Sequence, residues 1–140
     1  MNDNNTDNNI IDYKLINIYV EKSYAALEDS KFLIEQKKYH IAINRIYYSI
    51  FYMISAFAVK DKFETSKHAQ LIGYFNKNYI STKKIDANSK IITRLFELRN
   101  KADYDVYATF TKEQVDELCS ISEKFLNDTK KYITDNLSKN

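Results

Sequence analysis

Apolar residues return at every third or fourth position along most of this chain, which is the spacing of one face of an α-helix. This pattern predicts a first helix from about Asp12 to Gln36 and a second from about Tyr39 to Lys60. A shorter third helix is expected to be capped by Thr65 or Ser66 and to end near Tyr79. The apolar face of the first helix should comprise Leu15, Ile18, Tyr19, Ala25, Ala26 and Leu33. That of the second, expected to be the most buried helix, should comprise Ile43, Ile46, Tyr47, Ile50, Ile54 and Phe57.

Two further helices are predicted in the carboxyl-terminal half. The fourth begins near Asp86 or Asn88 and is interrupted by the run Asp103-Tyr104-Asp105. Thr111 is followed three residues later by Gln114, a capping-box pattern that predicts the start of a fifth helix. The inner face of this helix should comprise Val115, Leu118, Ser122, Phe125, Leu126, Thr129 and Ile133.

The near absence of turn-forming residues indicates the fold class. The chain of 140 residues has one Gly and no Pro. Tight turns of β-hairpins and sandwiches need such residues, whereas continuous helices do not. The length suits one domain, which we expect over residues 11–137 after a disordered polar tail at residues 1–10. The sequence therefore predicts an all-α protein, an antiparallel up-down bundle of four long helices plus one short helix.

Charge and cysteine content limit the classes of function. A formal net charge of +2 is too small to indicate nucleic-acid binding by itself. Any contact with RNA must therefore involve a local group of basic residues. The single Cys119 lies on an apolar helical stripe, which favours a buried thiol over a reactive nucleophile and fits a reducing compartment. The longest nearly apolar run, Ile50 to Val59, is short for a membrane span, and the amino terminus lacks a secretion signal. We expect a soluble cytoplasmic protein without a metal or cofactor site, because two His and one Cys show no ligand spacing.

The second helix has a polar face opposite its apolar one. This face carries Arg45, Tyr48, Ser49 and Tyr52. A charge in such a helix is costly unless it is paired. Arg45 could form an ion pair with Asp103 or Glu97 that holds two helices together, or it could contact a phosphate, and both roles can coexist. Tyr48 and Tyr52 could serve core packing or stack on nucleobases.

A second polar group ends the fourth helix. Arg99 and Asp103 lie one turn apart and can form an ion pair, which by itself would explain both residues. Tyr104 would be rotated about 140° from Arg99 in a continuous helix, so the two side chains converge only if the helix ends or turns there. Asp103 and Asp105 favour such an ending. We expect these groups and the polar face of the second helix to share one site.

Three segments of the chain resemble the HEPN superfamily, small helical bundles that pair with minimal nucleotidyltransferases. They are Ala42-Ile43-Asn44-Arg45-Ile46-Tyr47-Tyr48-Ser49-Ile50-Phe51-Tyr52, Lys67-His68 and Leu98-Arg99-Asn100-Lys101-Ala102-Asp103-Tyr104-Asp105. The resemblance covers about Tyr13 to Tyr132. It implies a homodimer whose two motifs face each other across the interface.

The resemblance also implies a metal-independent ribonuclease, in which an arginine holds the scissile phosphate and a histidine four to six residues later activates the ribose hydroxyl. Arg99 matches the arginine, but Tyr104 stands at the histidine position. A phenol with a pKa near 10 would need a downward shift of about three units, or about 4 kcal/mol, to act as a base at pH 7. Tyr104 is therefore better suited to donate a hydrogen bond, stack on a base or accept a modification. His68 is the substitute base, and early in the third helix its neutral form is favoured.

Three functional hypotheses follow. In the first, the chain is the toxin-type component of a toxin–antitoxin pair, with Arg99 and Tyr104 central and with Arg45, Asn100, Asp103 and His68 supporting. The resemblance then implies that a nucleotidyltransferase antitoxin silences the toxin by transferring AMP to Tyr104. In the second, the chain is a non-catalytic dimeric module that docks a nucleotidyltransferase. In the third, Arg45, Arg99 and Asp103 only hold the bundle together.

Overall fold

Helices account for nearly all regular structure in residues 10–137, the part of the chain that the computed structural model describes. The boundaries of the four long helices lie within three residues of the predicted ones, whereas those of the third helix differ more, and residues 1–9 of the expected tail lie outside the described range. The all-α antiparallel bundle is confirmed. The α-helices, in chain order, are α1 (Tyr13–Glu35), α2 (Tyr39–Asp61), α3 (His68–Phe75), α4 (Ser89–Tyr104) and α5 (Lys112–Leu137).

Side-chain caps stabilise the first turn of three of the four long helices, α1, α4 and α5. The Asp12 carboxylate accepts a hydrogen bond from the backbone N–H of Leu15 at 2.9 Å, and Asn88 does the same for Lys90 at 2.9 Å. The predicted capping box is confirmed: Gln114 Oε1 accepts from the Thr111 N–H at 2.9 Å, and Thr111 Oγ1 accepts from the Gln114 N–H at 3.2 Å. These caps satisfy backbone donors that a helix start leaves unpaired.

The third helix departs from its predicted form at both ends. It begins at His68 without a side-chain cap, so neither Thr65 nor Ser66 caps it. Thr65 Oγ1 instead accepts from the Lys67 N–H at 3.1 Å, in a turn before the helix. At its carboxyl end α3 continues into a π-helix, Asn76–Ile80. The predicted helical conformation up to Tyr79 is therefore confirmed, but its last turn is a π-helical turn, which is wider than an α-helical turn.

Lysines occupy backbone positions that usually favour glycine. Lys37, Lys62 and Lys83 have φ angles of 60°, 59° and 60°. Lys37 follows the end of α1, and Lys62 ends α2 in the left-handed conformation. A side chain with a Cβ atom is less favourable there than glycine. The chain thus reverses direction without the glycines that its composition lacks.

The core surrounds α2, which contacts α1, α3, α4 and α5. Every residue of its predicted apolar face is buried, and so is Cys119 on α5, as expected. The predicted face of α1 was wrong in part: Leu15, Ile18 and Ala25 are exposed, whereas Ile16 and Leu27 are buried. Apolar residues occur on several sides of α1, so periodicity alone could not select the face that packs against α2.

The apolar character of α2 is explained by its place in the bundle. By length and composition alone this helix could cross a membrane, since its most apolar window has a mean hydropathy of 1.2. However, 67% of that window is buried inside the protein. A core helix covered by its neighbours satisfies the same criteria as a membrane span.

Candidate functional site

Arg99 lies near the end of α4 with its side chain turned toward α2. Only 13% of this side chain is exposed. Its guanidinium carbon lies 4.7 Å from the ring centroid of Tyr47, 5.7 Å from that of Tyr48 and 5.6 Å from that of Phe96. Aromatic faces attract a cation. The largely desolvated charge of Arg99 is therefore supported mainly by ring faces.

The carboxylate of Asp103 connects α4 with α2. Its Oδ2 atom lies 3.8 Å from Arg99 Nη1, which confirms the predicted pair, and the same carboxylate accepts hydrogen bonds from Asn44 Nδ2 at 3.1 and 3.4 Å. At 3.8 Å the ion pair is long, so it neutralises the guanidinium only in part.

The predicted ion pair of Arg45 was wrong. Neither Asp103 nor Glu97 lies within ion-pair distance of Arg45, and its guanidinium carbon instead lies 5.5 Å from the ring centroid of Tyr48. Asp103 is already held by Asn44 and faces Arg99, which leaves no carboxylate for Arg45 within residues 10–137. Sequence could not show this because the register between α2 and α4 depends on tertiary packing.

Arg45 and Arg99 therefore flank the ring of Tyr48, one from α2 and one from α4. In both arginines the Nε atom is buried and has no hydrogen-bond partner among the described residues. An unpaired buried donor costs about 1–3 kcal/mol. Two such donors beside one ring make an anion a favourable occupant, because an anion would accept hydrogen bonds from guanidinium groups.

His68 joins this group through Tyr47. The Tyr47 hydroxyl lies 2.8 Å from His68 Nδ1, and the imidazole stacks on Phe51 with ring centroids 3.9 Å apart. Burial and the nearby charge of Arg99 lower the pKa of His68. Burial raises the pKa of Tyr47 to about 12, although Arg99 acts in the opposite direction. At neutral pH the pair is thus a neutral imidazole hydrogen-bonded to a phenol.

Tyr47 is the site residue that sequence reasoning missed, because its position on the apolar stripe marked it as core. It is buried, yet its hydroxyl reaches His68 and its ring faces Arg99. A tyrosine in a run of aliphatic core residues was the available signal, since a buried hydroxyl needs a partner.

Tyr104 does not join the cluster within one chain. The α-helix ends at Tyr104, where the Asp103-Tyr104-Asp105 run predicts an ending, but 76% of Tyr104 is exposed. Asn100 is half-buried on α4, where its side chain makes no hydrogen bond to residues 10–137. Tyr52 lies beside Tyr48 with ring centroids 5.7 Å apart. The structure thus brings Arg45, Tyr48, Tyr52, His68, Arg99 and Asp103 together and leaves Tyr104 at the surface.

Hydrogen bonds hold the loop after α4, although most of its side chains are exposed. Asp105 Oδ1 accepts from the Tyr107 N–H at 2.9 Å, and His40 Nε2 lies 2.9 Å from the carbonyl oxygen of Ala108. Val106 and Tyr107 are 88% and 90% exposed. Two large apolar residues beside exposed Tyr104, on a loop held by hydrogen bonds, are typical of an interaction surface.

Comparison with known proteins identifies the fold. The family model described as the HEPN domain matches residues 16–132, most of the chain. The chain belongs to the HEPN family.

Three relatives of known name are similar in sequence to this HEPN chain. A UPF0332 protein of Thermotoga maritima is 32% identical over 87% of this chain and 93% of its own length. A Methanocaldococcus jannaschii protein named "Putative toxin MJ0142" is 34% identical over 86% of this chain and 81% of its own length. A second one, named "Putative toxin MJ0605", is 31% identical over 83% of this chain and 87% of its own.

The chemistry available in this HEPN chain is that of arginine, imidazole and phenol groups. Within residues 10–137 no cluster of three or more His, Cys, Asp or Glu side chains is placed to hold a metal ion. The cluster around Tyr47 offers two guanidinium groups for an anion and one neutral imidazole for a proton. This combination suits reactions at a phosphate group.

Proposed function

We propose that this HEPN protein is the toxin component of a toxin–antitoxin pair and that it cleaves RNA without a metal ion at the cluster of Arg99, Tyr47 and His68. One observation carries the proposal: two guanidinium groups with buried, unpaired Nε atoms flank Tyr48, close to a neutral histidine. The two Methanocaldococcus jannaschii relatives whose names begin "Putative toxin" support the biological role. The proposed location is the cytoplasm.

In the proposed reaction, Arg99 holds the scissile phosphate and stabilises the charge that develops on its oxygens. When His68 Nδ1–H donates to the Tyr47 hydroxyl oxygen, Nε2 carries the lone pair and accepts the proton of the ribose 2′-hydroxyl. The 2′-oxygen then bonds to phosphorus while the bond to the 5′-oxygen breaks. The leaving 5′-oxygen takes a proton from water, and the products are a 2′,3′-cyclic phosphate and a 5′-hydroxyl end.

A cleavage assay with purified protein, total RNA and EDTA tests this reaction. Arg99→Ala and His68→Ala should each reduce the rate by at least about a hundredfold, because each removes a group that acts on the transition state. Arg94→Ala is the matched control, since Arg94 is exposed on the same helix. Cleavage that persists in both site variants would contradict the proposal.

Tyr104 is proposed as the point of control by a nucleotidyltransferase antitoxin. Its exposed phenol is accessible to a second protein, and transfer of AMP to it would place a negative charge and a bulky nucleotide at the end of α4, near Asp103 and Arg99. Mass spectrometry after incubation with the cognate partner and ATP should show the mass of AMP on Tyr104. The variant Tyr104→Phe should stay unmodified and stay toxic in the presence of the partner.

A non-catalytic role is the second candidate. The exposed side chains of Tyr104 at the end of α4 and of Val106 and Tyr107 in the loop after it favour a module that forms a homodimer and docks a nucleotidyltransferase. Under this role the wild-type protein would leave RNA intact but would still bind its partner. The cleavage assay and a co-purification experiment therefore distinguish the two functions.

A further inference from the structure

A row of alternating cationic and aromatic side chains leads from the candidate site across α2 to α1. We define this cationic–aromatic strip by six residues: Arg99, Tyr48, Arg45, Tyr52, Lys22 and Tyr19. Three helices contribute to it, so the row exists only in the folded chain.

Neighbouring rings of the strip are separated by similar distances. The ring centroid of Tyr48 lies 5.7 Å from that of Tyr52, which lies 6.3 Å from that of Tyr19 at an interplanar angle of 29°. Lys22 Nζ lies 5.5 Å from the Tyr52 centroid. Tyr19 and Tyr52 are half-buried, so part of each ring meets solvent. Aromatic rings beside cations at this spacing are typical of surfaces that bind single-stranded nucleic acid.

The cations of the strip beyond Arg99 are not neutralised by carboxylates. Neither Arg45 nor Lys22 forms an ion pair with any residue of the described range. Several other basic side chains do have such partners: Lys31, Lys60, Lys112 and Lys124. The buried Nε of Arg45 also lacks an acceptor. These cations are available to phosphate groups.

We propose that Tyr19, Lys22 and Tyr52 form a second RNA subsite, which holds single-stranded nucleotides next to the phosphate bound by Arg99. Bases stack on Tyr52 and Tyr19, and Lys22 contacts the backbone. This inference rests on the proposed function, because it assumes that RNA enters at Arg99. It selects single-stranded over duplex RNA, since paired bases cannot offer their faces to the two rings.

Fluorescence anisotropy with a labelled single-stranded RNA of mixed sequence tests the subsite. Its riboses carry 2′-O-methyl groups, so the nucleophile for cleavage is blocked. Tyr52→Leu should weaken binding on the order of tenfold. Lys22→Gln should weaken binding and reduce the slope of log affinity against log salt by about 0.7, the value for one lost phosphate contact. The duplex of the same sequence should bind more weakly than the single strand.

Lys130→Gln is the matched control. Lys130 Nζ lies 5.2 Å from the ring centroid of Tyr24, so this variant loses the same charge and the same kind of contact elsewhere on the surface. It should bind as the wild type does. Equal weakening by Lys22→Gln and Lys130→Gln would overturn the subsite, because binding would then follow net charge alone.

The remaining outcomes separate the two proposals. If Arg99→Ala abolishes binding while Lys22→Gln and Tyr52→Leu bind normally, the subsite is wrong and the proposed function stands. If the wild type binds no RNA, both are wrong. If the strip variants change the sedimentation coefficient but not RNA affinity, the strip contacts protein instead, and the subsite is again wrong. Thermal melts of each variant confirm that it is folded.

Discussion

At the scale of single residues, Tyr47 has the most unusual combination of properties. It is 2% exposed in the core of the bundle, yet it contacts two polar groups of the candidate site. Its ring supports the charge of Arg99, and its hydroxyl orients His68. Since the hydrogen bond at Nδ1 holds the imidazole in one orientation, Tyr47 acts as a positioning residue under the proposed function.

Replacement Tyr47→Phe tests this role. The ring remains for Arg99, so we expect a loss of only about 1 kcal/mol in the free energy of unfolding. RNA cleavage should fall on the order of tenfold or more, because the imidazole of His68 is no longer held in one orientation. Tyr132→Phe is the matched control, since its ring packs on Phe57 and Tyr79 and its hydroxyl makes no hydrogen bond to residues 10–137. Normal cleavage by Tyr47→Phe would show that the phenol has no positioning role.

A second polar network lies at the other end of α2. Asp61 accepts hydrogen bonds from the hydroxyl groups of Tyr74 and Tyr79, and Lys60 Nζ donates to it at 2.9 Å. Burial raises the pKa of Asp61, but these hydrogen bonds outweigh it, so the pKa lies below its usual value. Burial and the Asp61 carboxylate raise the pKa values of both tyrosines. The network ties the end of α2 to α3 and the π-helix.

The network should make stability depend on acid pH. Because the folded-state pKa of Asp61 is lowered, its contribution is complete above the unfolded-state pKa of about 3.9 and is lost as pH falls through the folded-state value. At pH 7, Asp61→Asn should lower the free energy of unfolding by about 1–3 kcal/mol. Urea denaturation should show that this difference shrinks toward pH 3. The exposed Asp29→Asn should have little effect at either pH.

At the scale of elements, α3 is the weakest helix by composition. It has eight residues and contains the only glycine of the chain, Gly73. No positive φ angle requires this glycine, and a Cβ atom there would meet no other atom within 4 Å. Glycine inside a helix loses more backbone entropy on folding than alanine does. Gly73 therefore destabilises an element that carries His68 into the candidate site.

Gly73→Ala should consequently stabilise the protein by about 0.5–1 kcal/mol. The expected result is a higher urea midpoint with an unchanged slope of free energy against urea concentration. Ala69→Gly, at an exposed position of the same helix, should shift the midpoint in the opposite direction. A decrease in stability on Gly73→Ala would mean that α3 needs the flexibility of glycine.

At the scale of the whole molecule, the exposed loop after α4 is a candidate surface for binding other proteins. Tyr104 at the end of α4 and Val106 and Tyr107 in the loop after it are large and exposed, and their exposure would be reduced by a partner. Either a second copy of the chain or a nucleotidyltransferase would place its own groups close to the candidate site. Regulation and assembly can therefore act on the same end of α4.

The double variant Val106→Ser and Tyr107→Ser tests the loop as an interface. Both side chains are almost fully exposed, so the melting temperature should stay close to that of the wild type. Binding to the nucleotidyltransferase in a co-purification experiment, or homodimerisation in sedimentation, should be lost. Phe32→Ser is the control, because Phe32 is 61% exposed on α1. Unchanged assembly of the double variant would show that the loop is not an interface.

Local features of the sequence determined the helices. Helical periodicity and caps act over three or four residues, so the capping box at Thr111 and the buried face of α2 could be predicted without knowledge of the rest of the chain. The near absence of Gly and Pro likewise predicted the all-α class. The face of α1 could not be predicted, because its apolar residues point in several directions and only packing against α2 selects among them.

The candidate site was decided by tertiary structure. The sequence supplied Arg99, Arg45 and His68, but the contacts that give them a function join residues far apart in the chain, such as Tyr47 and His68. Which carboxylate meets which arginine depends on the register of α4 against α2, and Asp103 pairs with Arg99 and Asn44 rather than with Arg45. Hydrophobic burial determines that register, and no local pattern encodes it.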